Sequence, residues 1–382
     1  MSRIVELIPT MNTGGAETMV KDYCLLLKSM GHEICVITIE SNEKSSNEIA
    51  LRDNGIRVIS INSSTTPRVL EKSIAGRLIR RISRVSRLKR TINEIDPDVI
   101  HAHLSICRYL LRMNPEKYRL FLTVHNVIER YYSQDRDNRI KYKEYKSVYE
   151  LIHKYGMRLI TLHDSLNREL RDYFQTDNVY TINNGIYTSR FDPELYEANK
   201  ERVSLGIGQN DIVVGHVGRF HQQKNHELIL EIFYDLYNKD DRFRLILVGS
   251  GELKQKIMDR VSELNISDRV IMLSNRSDIP RLMSVMDVFL FPSRWEGFGN
   301  VLIEAQCMGL PCIVSDVVPK EVRVTDRVFT VGLDESTDKW KEAIYNALDG
   351  KKGCEPIGCI DEFDIENSVR NLQRLYQGET IA

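Results

Sequence analysis

The sequence predicts two α/β domains in series, each a doubly wound parallel sheet covered by helices. Short runs rich in β-branched residues alternate with longer stretches of helical periodicity, and this rhythm stops and restarts about halfway along the chain. The chain has 382 residues, of which 42% are hydrophobic, enough to bury two cores. We expect these Rossmann-like domains to face each other across a cleft.

The predicted strands are short apolar runs that alternate with longer helical stretches. In the first domain the first helix covers residues 16–29, and the strands cover residues 4–8, 34–39, 58–61, 99–101, 120–124 and 159–161. In the second domain the helices cover 225–238, 252–264 and 301–308, and the strands cover 212–217, 245–248, 270–273, 288–291 and 312–314.

An Asn183-Asn184-Gly185 turn marks the domain boundary, because a polar and poorly periodic stretch follows it. We therefore predict domains at 1–184 and 185–364. The last helix, roughly 365–377, follows a loop rich in glycine and proline. We expect this C-terminal segment, 365–382, to pack back on the first domain.

Composition narrows the possible functions. The net charge is -1, from 53 basic and 54 acidic residues, so we expect no nucleic-acid partner. The seven cysteines lack metal-ligand spacing and indicate a reducing compartment. Neither a signal peptide nor an apolar run of about 18 residues is evident. The expected location is the cytoplasm, with peripheral contact to the inner face of the cell membrane.

Residues directly after parallel strands are the candidate ligand contacts, because ligands bind beyond the carboxyl ends of such strands. Gly14 and Gly15 follow the first strand and open a helix whose N–H groups suit an anion. Arg219 and Lys224 follow the strand at 212–217, and two cations five residues apart can converge on one diphosphate.

Two further loops in the second domain fit a nucleotide ligand. Gly249 and Gly251 open the helix at 252–264 but lack the third glycine of a dinucleotide fingerprint. Glu296 is followed by Gly297, Phe298, Gly299 and Asn300, whose backbone N–H groups open another helix. Glu304 lies in an apolar part of that helix, where a carboxylate needs a partner such as a ribose diol.

Together these motifs resemble the retaining glycosyltransferases of family 4, which have the GT-B fold. The resemblance rests on Gly14-Gly15-Ala16-Glu17, on Gly218-Arg219 with Lys224-Asn225, and on two glutamates separated by seven residues, Glu296 and Glu304. It also includes the segment 97–103 and Asn184-Gly185-Ile186. The sequence is similar in character to members that build bacterial exopolysaccharide, capsule or lipopolysaccharide.

The resemblance implies a role for each matching residue. Arg219 and Lys224 would clamp the diphosphate of the donor, and Glu304 would hold the ribose. Glu296 and the backbone of residues 297–300 would contact the transferred sugar and phosphates. Asn275 and Arg276 would lie by the base, and His125 would lie near the sugar. The donor would be a nucleotide-diphosphate sugar, most simply a UDP-sugar, and the acceptor would be a glycan linked to a lipid.

We expect no metal and no other cofactor. His101 and His103 share a strand face, but no third ligand is visible in the sequence. Asp96 and Asp98 precede their strand, and the segment 135–137 is expected in a charged helix, so neither Asp-x-Asp is a convincing Mg²⁺ site. Arg219, Lys224 and the helix opening would instead stabilise the charge on the leaving diphosphate.

Two other functions remain open at this point. A nucleotide-sugar epimerase has a related fold and would need acid and base carboxylates but no acceptor. A non-catalytic module that binds polyanions would use the basic segment 68–90, which holds nine Lys and Arg residues and one Glu. Apolar residues recur at helical spacing along this segment, so it could contact an anionic membrane or simply dock on the sheet.

Overall fold

The computed structural model describes residues 1–12, 14–62, 74–350 and 361–379, with the side chains of 74–81 and 361 left aside. The chain divides into two compact units. Unit 1 comprises Met1–Gly185 together with Ile365–Ala382, and unit 2 comprises Ile186–Asp364. The last helix therefore belongs to the same unit as the first strand.

Within the described residues, unit 1 contains a seven-stranded parallel sheet in the order β3-β2-β1-β4-β5-β6-β7. The inner strands are buried along nearly their whole length, as expected for a parallel sheet with helices on both faces. The strands are β1 (Arg3–Ile8), β2 (Glu33–Thr38), β3 (Arg57–Ser60), β4 (Val99–His103), β5 (Arg119–Thr123), β6 (Arg158–Thr161) and β7 (Val179–Thr181).

The sheet of unit 1 is accompanied by helices that follow its strands along the chain. They are α1 (Gly15–Ser29), α2 (Ser46–Asp53), α3 (Ile74–Ile95), α4 (Cys107–Leu110), α5 (Ile128–Tyr131), α6 (Arg139–Tyr155), α7 (Asp164–Phe174) and, from the end of the chain, α14 (Ile365–Tyr376). Asp135 and Asp137 lie in the loop before α6, so the expectation of a helix there was wrong.

Helix α14 docks on unit 1 through one face. Its buried residues recur every three or four positions: Ile365, Ser368, Val369, Leu372, Leu375 and Tyr376. Arg119 and Arg158 donate to the backbone carbonyls of Tyr376 and Leu375 at its last turn, where cations are favourable. Gly185 allows the chain to approach α14 closely, because a Cβ at Gly185 would overlap the backbone of Ile365.

Unit 2 has a six-stranded parallel sheet over its described residues, in the order β10-β9-β8-β11-β12-β13. The strands are β8 (Ile212–Val217), β9 (Phe243–Val248), β10 (Val270–Leu273), β11 (Val288–Phe291), β12 (Cys312–Ser315) and β13 (Val328–Val331). The helices are α8 (Ala198–Ser204), α9 (His226–Lys239), α10 (Lys254–Glu263), α11 (Ile279–Met283), α12 (Asn300–Cys307) and α13 (Thr337–Asp349).

The prediction of two Rossmann-like parallel-sheet domains is confirmed. Strand β13 and helix α13 were not predicted. β13 is a partly buried edge strand, and Thr330 interrupts its short run of apolar residues. None of the helices in the described part of the chain is long and apolar enough to span a membrane.

Candidate active site

The order of strands locates the candidate ligand site in unit 2. From β8 the chain proceeds outward to β9 and β10 on one side, and from β11 to β12 and β13 on the other. The boundary between β8 and β11 is therefore a topological switch point, where ligands of open parallel sheets bind beyond the carboxyl ends of the strands. The loops after β8 and β11 hold Lys224 and Glu296.

Lys224 and Glu296 form a close, largely buried ion pair at this point. Lys224 Nζ lies 2.6 Å from Glu296 Oε1, and the side chains are 13% and 6% exposed. The ammonium group also lies 4.4 Å from the ring centroid of Phe291 on β11. Gln223 donates to Glu296 Oε2 at 3.3 Å and to the backbone carbonyl of Trp295 at 2.9 Å. Both carboxylate oxygens are thus held by the β8 loop.

Local backbone geometry fixes Lys224 in this position. A short 3-10 helix covers Gln222–Lys224, and His221 Nδ1 caps it by accepting from the Gln223 N–H at 3.1 Å. Asn225 then adopts a left-handed conformation, with φ of 55°, before α9 begins at His226. Arg294 Nε donates to the Asn225 side chain at 3.1 Å and so ties this turn to the β11 loop.

Arg219 is much more accessible than Lys224. Its Nη2 lies 3.5 Å from Glu252 Oε2, and the two side chains are 64% and 51% exposed. An exposed pair at that distance contributes little, about 0–1 kcal/mol, so Arg219 can exchange Glu252 for another anion at small cost. Of the two predicted clamp residues, one is held in place and one is free to reorient.

Gly249 and Gly251 are needed for close packing of two loops. A Cβ on Gly249 would overlap the carbonyl oxygen of Gly218, and a Cβ on Gly251 would overlap that of Phe220. Gly218 and Phe220 in turn donate backbone hydrogen bonds to the β9 strand and loop, each at 2.9 Å. In the structure these two glycines are required for the packing of the two loops. From the sequence we had expected them to let the backbone approach a nucleotide.

The loop after β11 leads into α12 as the sequence suggested. Gly299 has a φ of 97°, a left-handed conformation that favours glycine, and it caps the N-terminus of α12. Phe298 is buried and contacts Phe363, with ring centroids 5.9 Å apart, which anchors the loop. Glu304 lies one turn into α12 and is half-buried. Glu296 and Glu304 therefore flank one helix N-terminus.

Asn275 and Arg276 lie after β10, the edge strand of the unit 2 sheet, and so two strands away from β8. Asn275 is left-handed, with φ of 57°. The Arg276 guanidinium binds Asp278 through both Nε, at 2.7 Å, and Nη2, at 2.5 Å. This fork-like pair occupies two donors of the guanidinium, and the structure does not bring Arg276 to Lys224 and Glu296.

The switch point of unit 1 lies between β1 and β4. Gly14 is the N-cap of α1, and Gly15 is its first residue. A Cβ on Gly14 would overlap the carboxylate of Glu17, the acidic residue of the first turn. Thus the anionic Glu17 already lies at the positive end of this helix, where we predicted a ligand anion.

His125 follows β5 and is 9% exposed. Its Nε2 lies 3.0 Å from Nδ1 of His103, and burial, with a smaller effect of His103, holds the pKa of His125 well below its ordinary value. His103 Nε2 lies 2.7 Å from Oε2 of Glu6 on β1. Burial lowers the pKa of His103 to about 3 and raises the pKa of Glu6 to about 8.

Glu6 was not among the predicted residues, and its position corrects the statement that His101 and His103 lack a third neighbour of ligand type. Ligand atoms of these three residues lie within 4.8 Å of one another. Hydrogen bonds within unit 1 already occupy those atoms, so we interpret the group as a hydrogen-bond chain. The available signal was a carboxylate in the apolar strand Arg3–Ile8, since a buried carboxyl group requires a polar partner.

The basic segment 68–90 is described only in part. Residues 68–73, which include Arg68 and Lys72, lie outside the described residues, and residues 74–90 fall in α3. Of the predicted apolar stripe, Leu88 and Ile92 are buried in the unit 1 core, while Ile82 is 61% exposed. The end of the helix docks on the sheet, and the apolar stripe extends beyond the docked part.

Comparison with protein families agrees with this geometry. Residues 13–190 match the model of Glycosyltransferase Family 4, and residues 197–357 match that of Glycosyl transferases group 1. Between them the two matches cover nearly all of the chain.

This chain belongs to the family 4 glycosyltransferases.

Individual relatives of this glycosyltransferase support the assignment. A UDP-Gal:alpha-D-GlcNAc-diphosphoundecaprenol alpha-1,3-galactosyltransferase of Escherichia coli is 28% identical over 315 residues, 78% of this chain and 80% of that protein. The EpsF protein of Bacillus subtilis is 36% identical over 174 residues, 45% of each chain. The enzyme is thus related to enzymes of polysaccharide biosynthesis.

The crystal structure of HepE from Anabaena in complex with UDP and glucose has the same GT-B fold. It superposes with a TM-score of 0.76 over 99% of this chain and 100% of that one, at 18% identity. The glycosyltransferase assignment also decides between the functions left open by the sequence, in favour of group transfer over epimerisation or simple polyanion binding.

Proposed function

We propose that this glycosyltransferase moves a sugar, with retention of anomeric configuration, from a UDP-sugar to a lipid-linked glycan in the synthesis of a bacterial surface polysaccharide. The observation that carries the proposal is the Lys224–Glu296 pair at the switch point of unit 2, 2.6 Å between charged atoms. It places an ammonium group and a carboxylate side by side where a donor diphosphate and its sugar would bind.

In the proposed complex, Lys224 and Arg219 neutralise the donor diphosphate. Cleavage of the glycosyl phosphate bond leaves negative charge on the phosphates, and fixed cations stabilise that charge without reorganisation. Lys224 supplies the fixed charge because Glu296 and Phe291 hold it. Arg219 leaves its weak contact with Glu252 and binds the phosphates through two N–H groups.

The remaining donor contacts follow from α12 and the β10 loop. The backbone of residues 297–300 contributes N–H groups at the start of α12, where the helix dipole favours an anion. Glu304 accepts hydrogen bonds from the ribose hydroxyls. Asn275 and Arg276 lie on the base side of the donor, and Gly14 and Gly15 of unit 1 also contact it.

We propose same-face attack rather than double displacement. A double displacement needs a carboxylate nucleophile, and the carboxylate at the switch point, Glu296, has one oxygen bound to Lys224 and the other to Gln223. The leaving phosphate then accepts the proton of the acceptor hydroxyl, while His125 contacts the transferred sugar. The protein cations supply the charge stabilisation, so the reaction needs no metal.

The acceptor is proposed to bind unit 1. The Escherichia coli relative is named for an acceptor on diphosphoundecaprenol, whose long prenyl chain is a lipid. A lipid-linked acceptor makes contact with the membrane useful, and the basic residues of α3 would provide that contact through attraction to anionic lipids. Peripheral contact with the inner face of the cell membrane is part of this proposal.

Transfer and binding assays test the proposal directly. Thermal shift with UDP, GDP and CMP identifies the base, since a ligand that binds the folded state raises apparent stability. A UDP-sugar panel is then incubated with a synthetic GlcNAc-diphosphate lipid, and the anomeric configuration of the product is compared with the donor. Stabilisation by UDP and a product of unchanged configuration support the proposal, whereas an inverted product or stabilisation by GDP alone would overturn it.

A further inference from the structure

Six polar side chains in unit 1 form one continuous hydrogen-bond chain beneath the carboxyl ends of its central strands. Thr123 Oγ1 lies 2.7 Å from His101 Nε2, His101 Nδ1 lies 2.6 Å from the Tyr376 hydroxyl, and that hydroxyl lies 3.1 Å from Glu6 Oε1. Glu6 Oε2 then contacts His103, which contacts His125. All six residues are at most 9% exposed.

The chain has a direction that follows from counting protons. The Tyr376 hydroxyl has one proton and donates it to Glu6 Oε1, so its oxygen accepts from His101 Nδ1. A proton on the Glu6 carboxyl group must then reside on Oε2, where it faces His103 Nε2. His103 Nδ1 consequently carries a proton and donates to His125 Nε2. The proton of neutral His125 is left on Nδ1.

Burial favours the neutral form of Glu6, and the hydrogen bond from Tyr376 opposes this effect without reversing it. The titratable groups near it are His101 and His103 on β4, His125 after β5, Tyr376 on α14, Cys24 and Tyr23 on α1, and Cys35 on β2. Burial lowers the pKa values of the three histidines and raises those of the thiols and phenols, so all are uncharged near neutral pH. Asp22 forms an ion pair with Lys21 at 2.7 Å.

We propose that Glu6 and His103 are positioning residues that set which ring nitrogen of His125 carries the proton. While Glu6 holds its proton, His125 presents an N–H donor at Nδ1. When Glu6 ionises, it accepts from His103 Nε2, His103 Nδ1 accepts from His125 Nε2, and Nδ1 of His125 becomes an acceptor. In this shift two protons each move one hydrogen bond along the chain, and one proton leaves from His125 Nδ1, so the protons balance.

The consequence for catalysis rests on the proposed role of His125 at the transferred sugar. An N–H donor at Nδ1 would bind a lone pair of a sugar hydroxyl, whereas an acceptor would bind its proton. Glu6 is connected to His125 by hydrogen bonds through His103. The protonation state of Glu6 would thus change how the enzyme holds its substrate. Because the tautomer can be observed without substrate, the relay and the role of His125 can fail separately.

The test uses the full chain labelled with ¹⁵N in its nine histidines. Long-range ¹H–¹⁵N correlation spectra distinguish protonated from bare ring nitrogens, and the spectrum of His125→Asn identifies the signals of His125. We expect the wild-type proton of His125 to reside on Nδ1 at about pH 6.5 and on Nε2 at about pH 9.5, with the midpoint near the Glu6 pKa of about 8.

Two variants of the chain and one matched control sharpen the result. Glu6→Gln cannot ionise, and its amide N–H faces His103 as the carboxyl proton does, so His125 should keep the proton on Nδ1 throughout. Tyr376→Phe removes a donor to Glu6 and should move the midpoint to higher pH. Glu144→Gln removes another buried carboxyl group of unit 1, one bonded to the Cys107 N–H, and should leave the midpoint in place.

The proposal is overturned if wild-type His125 keeps one tautomer across the whole pH range of the titration. It is also overturned if the His125 tautomer still changes with pH in the Glu6→Gln variant. The wild-type titration decides the matter even where a variant fails to fold. A tautomer change that follows Glu6 supports the relay. If it is accompanied by a transfer rate that does not depend on pH and is insensitive to His125→Asn, the proposed role of His125 fails while the relay stands.

Discussion

Units 1 and 2 each place a buried glutamate at the switch point of a parallel sheet, but the two glutamates have opposite partners. Glu296 is 2.6 Å from an ammonium group, while Glu6 is 2.7 Å from the His103 imidazole, whose pKa is lowered by burial. Burial raises the pKa of Glu6 to about 8. One carboxyl group is therefore held by a fixed charge and the other by hydrogen bonds to neutral groups.

This difference separates two ways of making a buried carboxyl group tolerable. A neighbouring cation offsets the loss of hydration and leaves the site charged, ready to meet an anionic ligand. A chain of uncharged donors and acceptors instead forms hydrogen bonds with the protonated carboxyl group. What can change at such a site is the position of a proton. The same sheet architecture thus supports a charge-based site in unit 2 and a proton-based site in unit 1.

The largest expected effect comes from removing the cation of unit 2. Lys224→Ala should lower the transfer rate about 10²–10³-fold while the chain remains folded, since it removes one fixed charge at the diphosphate. Glu304→Ala should also lose most transfer activity. Steady-state kinetics and circular dichroism measure both outcomes.

The matched control for Lys224 is Lys341→Ala. Lys341 is another buried lysine of unit 2, paired with Asp235 at 3.0 Å and Asp338 at 2.8 Å on the α13 side of the sheet. It should lower stability but leave the transfer rate of the folded enzyme near the wild-type value. Wild-type turnover in the Lys224 variant would remove the basis for treating unit 2 as the charged site.

A smaller effect is expected for the pH dependence of the free energy of unfolding, to which Glu6 of unit 1 contributes. The unfolded chain loses the Glu6 proton near the ordinary pKa of 4.5, and the folded chain keeps it to about 8. Between these two pKa values the folded state holds an extra proton. Its free energy of unfolding should therefore fall by about 1.4 kcal/mol for each unit by which the pH rises. The buried histidines, whose pKa values are lowered, cost stability only as pH falls below about 6.5.

The window from about pH 7 to about pH 8 thus isolates Glu6 from the histidines. Urea unfolding of the wild type and of Glu6→Gln at both ends of this window measures the slope. The variant should lose the Glu6 contribution to the slope. Equal slopes in the two proteins would mean that Glu6 is ionised in the folded state, and the contrast with Glu296 would disappear.

A third prediction extends the comparison to the surface of unit 1. Changing Arg80, Arg81, Arg84 and Arg87 to Gln should abolish binding to anionic vesicles, since each cation near the surface contributes about 1 kcal/mol. Donor affinity, which depends on unit 2, should be unaffected. Sedimentation with anionic and neutral vesicles at two salt concentrations tests this, and binding that survives the four changes would rule out α3 as the contact.

The smallest expected effect is that of a chelator. If protein cations carry the charge stabilisation in unit 2, EDTA should leave the transfer rate within error of the untreated enzyme. The same treatment tests unit 1, because a metal held by Glu6, His101 and His103 would be removed as well. Complete inhibition that added metal reverses would contradict both interpretations.

Most of the fold could be predicted from the sequence because buried parallel strands are visible in it as apolar runs, as in Ile212–Val217 and Val288–Phe291. It also predicted the positions of loop residues such as Lys224 and Glu296, which follow those strands directly. It did not predict their contact, because the two residues are 72 positions apart. The order of strands in a sheet cannot be deduced from the local sequence of each strand.

The chain of six side chains in unit 1 was harder still to predict. His101 and Tyr376 are separated by 275 positions, and Glu6 and Tyr376 by 370. Periodicity describes one element at a time, whereas these contacts depend on how α14 returns to β1 and β4. The sequence predicted a last helix at roughly 365–377, but no pattern in it specifies which strand its tyrosine contacts.

The return of α14 to unit 1 also has a consequence for synthesis on the ribosome. Tyr376 is made after the whole of unit 2, so β1 and β4 must wait through 179 further residues, Ile186–Asp364, before their buried polar groups meet it. Unit 2, in contrast, is contiguous and can complete its sheet as it emerges. A ribosome that stops before residue 365 would release a chain with a finished second unit and an unfinished first one.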